Sequence, residues 1–161
     1  MDQICYEPIG LLYTPFREPS GAPIQPCGAG DALGRAELRP ELAPALEGLD
    51  GFSHVILLYH CHLAAAFKLK VKPFLDQNEH GLFATRAPAR PNPLGLSVVE
   101  LVAVEGNVLR LKGVDMLDQS PLMDLKPYVP KFDAPPGEVR TGWLADKAQD
   151  APTKKADERF S

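Results

Sequence analysis

The amino-acid sequence predicts a mostly β fold, closed as a small barrel or stacked as a sandwich, with one short helix and a C-terminal tail. Three observations carry this. Short runs of β-branched and aromatic residues recur between Gly- and Pro-rich breaks, only one segment reads as a helix, and strands do not alternate with helices as around a parallel sheet.

Taken in order, ICYEPIGLLY at residues 4–13 reads as an opening strand. Pro8 inside it suits an edge position, because proline donates no ladder hydrogen bond. Residues 15–34, PFREPSGAPIQPCGAGDALG, lack periodicity and form a long loop, a length that compact domains keep for function or leave disordered. RAELRP is a short strand, after which PELAPALEGLDGF sets Leu42, Ala45, Leu46 and Leu49 at helical spacing with Gly51 as the stop. SHVILLYHCHL at 53–63 is the strongest buried strand, and GLFAT is another short one. LSVVELVAV and NVLRLKGVD flank Glu105 and Gly106 as a β-hairpin, and PLMDLKPYV is a last strand ended by Pro130. KFDAPPGEV reads as a linker, and the remainder, with Trp143 and the charged run KKADERF, as a tail. The expected organisation is one domain over residues 1–133, then linker and tail over 134–161.

A chain of 161 residues can bury a core without metal or disulfide staples. Cys5, Cys27 and Cys61 are odd in number and hold no C-x-x-C pair, which argues against a disulfide framework or zinc ribbon and suits a reducing compartment. No apolar run reaches the roughly 18 residues of a membrane span, and the acidic start Met1-Asp2-Gln3 lacks the basic region of a secretory signal. A soluble, cytoplasmic protein with no membrane partner is expected. The formal net charge of −4 argues against indiscriminate coating of nucleic acid. Acids crowd residues 31–50, whereas Lys68, Lys70, Lys72, Arg86 and Arg90 follow within a short span, which suits either a solvated face or a locally basic one.

Residues 83–97, FATRAPARPNPLGLS, set Arg86 and Arg90 among Pro88, Pro91 and Pro93. Proline fixes φ and removes a donor, so this rigid loop presents guanidinium groups that can grip a carboxylate or phosphate in a bidentate fork. Arginines paired with internal acids would look the same. In VDMLDQSPLMDLKPY, the residues Asp115, Asp118, Ser120 and Asp124 surround a turn whose backbone and short side chains suit an adenine edge, ribose hydroxyls or a cation. An ordinary turn with solvated acids is the alternative. His54, His60 and His62 share parity, and an H-x-H pair can reach one zinc. A third ligand is missing, because His54 lies roughly 20 Å from His60 at about 3.3 Å per residue, and no metal site is assigned. Glycine motifs of Rossmann, P-loop and α/β-hydrolase sites do not occur.

The strings EPIGLLYTPF, LEGLDGFSHVILLYH, FATRAPARPNPLGLSVVEL and GVDMLDQSPLMDLKPYVP stand in the order seen in the TrmO family, also called YaeB or TsaA-like proteins, and the resemblance covers roughly residues 6–133. It implies a single small β-barrel, unlike Rossmann methyltransferases, that uses S-adenosylmethionine to methylate N6 of N6-threonylcarbamoyladenosine beside the tRNA anticodon. A homodimer is implied as well. Carried over by position, the resemblance implies cofactor contacts at Pro23, Ile24 and Gln25, at His62 and Leu63, at Arg86 and Leu96, and at Asp118, Gln119, Ser120 and Pro121. Ile24 stands where the family commonly has arginine, which leaves a backbone contact there. Long members carry an extra C-terminal domain associated with RNA, and here the short tail takes its place.

Against the tRNA anticodon loop, Arg90, Lys126 and Lys131 are the candidate phosphate contacts. His62, Asp118 and Tyr59 are candidates for handling the N6 proton, and no catalytic residue is chosen among them. Two other functions fit the same residues: an S-adenosylmethionine-binding module without catalysis, and a methyltransferase for a different, smaller acceptor.

Overall fold

Alternation along the strands dictates what fills the interior. In β3 (His54–His60), Val55 and Leu57 are fully buried while His54 faces out, as a period of two requires. The computed structural model describes residues 2–160, and six antiparallel strands close into a barrel. These are β1 (Gly10–Tyr13), β2 (Leu33–Leu38), β3, β6 (Leu94–Glu105), β7 (Val108–Lys112) and β8 (Ser120–Pro127). Around the barrel they run β1-β2-β7-β6-β3-β8, and β8 pairs back onto β1 through Leu12 and Ser120. A separate two-stranded ribbon joins β4 (Lys70–Val71) to β5 (His80–Gly81).

Leu12, Ala36, Leu57, Val99, Leu109 and Leu122 are among the side chains that meet inside the barrel. The β6–β7 hairpin pairs Glu105 with Val108, and Gly106 takes the positive φ of 64° that its tight loop needs. A bulge between Leu101 and Ala103 shifts β6 by one residue, so that beyond outward Val102 the alternation resets and Val104 packs against the core.

Four expectations are modified. Pairing in the first strand begins at Gly10, with Pro8 ahead of it, and closure of the barrel leaves no edge for a proline to occupy. The segment expected as the short helix forms 3₁₀ turns, Pro40–Leu46 and Leu49–Gly51, because Pro44 removes a donor in its middle. The short α-helix is α1 (Pro130–Asp133) instead. GLFAT contributes only Gly81 to a strand, β5, and then winds into a 3₁₀ turn, Leu82–Ala84. The shared parity of the histidines ends with the strand: His54 and His60 keep it along β3, which pairs with β6 in unbroken register, whereas His62 lies beyond the strand, its N–H donating to His60 O at 3.0 Å.

Candidate functional site

Proline leaves the 83–97 loop short of backbone donors, and side chains close it instead. Buried Thr85 donates Oγ1–H to Leu82 O at 2.8 Å and accepts the Ala87 N–H at 3.3 Å. Arg90 donates through Nη1 to Thr85 O at 2.9 Å and Ala87 O at 3.5 Å, with its guanidinium 5.4 Å from the centre of the Phe83 ring. Arg90 is thus committed to its own loop, and Arg86 is left as the exposed guanidinium. Its Nη1 donates to Gln25 Oε1 at 2.8 Å, joining the proline loop to the long loop after β1. Within that long loop Pro23 is buried, Ile24 half-buried, and Gln25 extended at φ −155°.

The turn before β8 is tied to the end of β1. Thr14 donates its N–H to Asp118 Oδ1 at 3.0 Å and its hydroxyl to Met116 O at 2.8 Å, while Asp118 N–H donates to Phe16 O at 2.6 Å. These bonds hold Gln119 at φ 60°, the one non-glycine residue with positive φ among the described residues. Next to it Ser120 is buried, with Oγ 3.4 Å from His62 Nδ1. Burial first, and then the nearby His60, lower the pKa of His62 against the opposing charge of Asp118, so the imidazole is neutral at neutral pH.

Deeper in the wall, Ser97 donates its hydroxyl hydrogen to Asp115 Oδ1 at 2.6 Å, and Tyr59 Oη stands 3.2 Å from Ser97 Oγ. The Tyr59 ring lies over Gly95, where a Cβ would collide with it. Burial pushes Asp115 up to about 6, opposed by the Ser97 hydrogen bond and by the positive charge of Arg86. Burial and the adjacent Asp115 also push the Cys61 thiol up to about 11 and raise Tyr59, so neither ionises at neutral pH.

The structure therefore joins the expected positions in two pairs, Gln25 with Arg86 and His62 with the turn of Asp118, Gln119, Ser120 and Pro121. Leu96 sits on the outer face of β6 opposite Leu58, 54% exposed, and Leu63 is exposed just past β3. Lys126 pairs with Asp124 at 2.7 Å, whereas Lys131, exposed on α1, has no acidic partner among the described residues. Sequence reasoning passed over Ser97 as a polar anchor. Its signal was a hydroxyl at the same parity as inward Val99 in an aliphatic strand, which demands a buried partner. Among the described residues no group of three or more His, Cys, Asp or Glu side chains is placed to hold a metal ion. No helix among them is long and apolar enough to cross a membrane.

A family model of the tRNA-methyltransferase O N-terminal domain matches residues 11–134. A probable S-adenosyl-L-methionine-binding protein of Pyrococcus abyssi is 49% identical over 98% of this chain and 85% of its own length. The mouse tRNA (adenine(37)-N6)-methyltransferase is 38% identical over 80% of this chain, which spans only 32% of that relative. The crystal structure of TrmO from Pseudomonas aeruginosa superposes with a TM-score of 0.74 at 40% identity, covering 88% of this chain and 63% of that one. The Arg86–Gln25 and His62–Ser120 pairs lie within the matched residues of a chain that belongs to the family of the tRNA-methyltransferase O N-terminal domain.

Proposed function

We propose that this chain is an S-adenosylmethionine-dependent methyltransferase acting on N6 of an adenosine, N6-threonylcarbamoyladenosine beside the tRNA anticodon, with residues 1–133 as the catalytic domain. The observation that carries the reading is the hydrogen bond from Arg86 to Gln25 at 2.8 Å, which brings two of the expected cofactor segments together and leaves most of the guanidinium donors free. The residues present fit the cofactor. Arg86 suits the methionyl carboxylate, exposed Leu63 and Leu96 suit an apolar ring face, and the turn of Asp118, Gln119, Ser120 and Pro121 offers backbone and hydroxyl partners. Pro23 and Ile24 set the backbone approach of Gln25.

When bound, S-adenosylmethionine supplies an activated methyl group, so the chain's own contribution is alignment and a place for the N6 proton. His62 suits the second role best. Its imidazole is neutral and its Nδ1 faces Ser120; in the tautomer whose Nδ1–H donates to Ser120 Oγ, Nε2 is a proton acceptor. Asp118 is occupied by the Thr14 N–H, and Tyr59 is a buried phenol. For the RNA, Lys126 and Lys131 remain phosphate candidates, and exposed Lys68, Lys70 and Lys72 join them, the last two flanking buried Val71.

We read the working form as a cytoplasmic homodimer. Leu94 and Leu96 stand 51% and 54% exposed side by side on the outer face of β6, and Leu63, Phe67 and Phe83 are exposed beside the same segments. Such a patch calls for cover, and a second copy would close the site from above.

A binding module without catalysis is favoured by one observation. The relatives of which this chain covers 85% and 95% are named S-adenosyl-L-methionine-binding proteins, whereas it covers 32% of the mouse methyltransferase. Mass spectrometry of nucleosides from tRNA incubated with the protein and methyl donor separates the readings. A gain of about 14 daltons on the modified adenosine, from a CH₃ group replacing a hydrogen, supports the enzyme; saturable cofactor binding with unmodified tRNA supports the module.

A further inference from the structure

Residues after Asp133 return to the three segments that carry Gln25, His62 and Arg86. At the first segment, Gly21 N–H donates to Ala156 O and Ala156 N–H to Ala22 O, both at 2.8 Å, and Pro23 forms a β-bridge with Lys155. Lys155 Nζ also donates to Gly28 O at 2.9 Å, so Gln25 is bracketed on both sides. Past His62 and Leu63, Ala65 N–H donates to Phe160 O at 3.3 Å. At the third segment, Trp143 Nε1 donates to Ala84 O at 2.7 Å, two residues before Arg86. The Phe160 ring packs against Val71, Leu82 and Ala87, the last of these adjacent to Arg86.

The middle of this stretch is pinned as firmly as its ends. Lys147 Nζ and His80 Nε2 reach the same Asp76 carboxylate oxygen at 2.7 and 2.8 Å, and His80 stacks on Trp143 with ring centres 4.6 Å apart. None of these contacts involves the barrel interior, whose core cluster contains no residue beyond Leu125. Surface loops open locally at far smaller free energy than a barrel core unless something ties them down. One segment bound to three such loops makes their openings dependent on one another.

We propose that residues 143–160 are a positioning strap that holds the three cofactor segments in mutual register and thereby sets the affinity for S-adenosylmethionine. The proposal rests on assigning those segments to the cofactor. Without the strap, the Arg86–Gln25 hydrogen bond is the direct side-chain link between the long loop and the proline loop among the described residues. Binding would then have to order each loop separately, at a cost in affinity.

The test uses Trp143→Ala and Phe160→Ala in the full-length chain, with Phe160→Leu as the conservative variant. Cofactor affinity is read by calorimetry and segment opening by amide hydrogen exchange. The expected result is faster exchange in residues 21–28 and 82–87, unchanged exchange in the barrel strands, and cofactor affinity reduced about tenfold or more. Phe160→Leu should recover most of the loss. Unchanged affinity in variants whose segments exchange faster overturns the strap. So does faster exchange confined to residues 143–160, or equal loosening of the barrel. Failure of the unaltered chain to bind S-adenosylmethionine overturns the cofactor assignment itself, a result separable from the other three.

Discussion

Ser97 and Asp115 share a hydrogen bond of 2.6 Å inside the barrel wall, and it ties β6 to the segment that leads into the Asp118 turn. Burial raises the Asp115 carboxyl from 3.8 to about 6, so between those values the folded chain keeps a proton that the unfolded chain has released. The resulting stabilisation is complete below about pH 4 and is lost as pH rises through about 6. Unfolding free energy measured in urea should fall by about 2–3 kcal/mol between pH 4 and 7 relative to Asp115→Asn, which stays uncharged. Parallel pH profiles for the two proteins would show that this carboxyl is not the group responsible.

Arg86 is the exposed arginine of the proline loop and is oriented by Gln25. Losing a charge-assisted hydrogen bond costs about 1.5–3 kcal/mol, so Arg86→Ala should weaken S-adenosylmethionine binding roughly ten- to hundredfold with no change in fold. Arg86→Lys should recover part of this, since an ammonium lacks the fork. Gln25→Ala should have a smaller effect in the same direction. Calorimetry decides it, and wild-type affinity in a folded Arg86→Ala protein would remove Arg86 from the site.

Arg90 invites the opposite expectation from a phosphate contact. Because its guanidinium closes the loop onto Thr85 and Ala87, Arg90→Ala should loosen Arg86 and reduce cofactor affinity, while the salt dependence of tRNA binding stays the same. Replacing Lys70 with alanine should instead lower the slope of log K against log[salt] by about 0.7–0.9, the loss of one phosphate contact. A reduced slope in Arg90→Ala with intact cofactor binding would return Arg90 to the RNA surface.

Leu57 and Leu96 sit on paired strands and face opposite ways. Leu57→Ala should cost about 2–5 kcal/mol in stability, since it opens a cavity in a fully buried position. Leu96→Asp should leave the protomer's stability within about 0.5 kcal/mol yet weaken self-association, read by analytical ultracentrifugation. Equal sedimentation of wild type and Leu96→Asp as monomers would place this face outside any dimer contact.

The strands were readable in the sequence because burial on one face imposes a period of two that few other structures tolerate. Val55 and Leu57 against His54 in β3, and the hairpin around Gly106, show it directly. Residues 40–51 misled because their apolar spacing is helical while Pro44 prevents an α-helix, a local conflict that the barrel resolves with 3₁₀ turns. Histidine parity held for His54 and His60 and failed for His62, because the end of β3 at His60, invisible in one-dimensional spacing, frees the following residues from alternation.

Alternation, proline-stiffened loops and a familiar order of strings are local properties, and the sequence by itself determined from them a mostly β domain and its family. Tertiary structure alone decided that Arg86 meets Gln25, that Ser97 meets Asp115, and that Trp143 and Phe160 reach back to the loops. Each of those depends on groups between 18 and more than 50 residues apart in the chain, and nothing in local spacing encodes the distance between them. It is the closing of β8 onto β1 and the return of the last residues that set those distances.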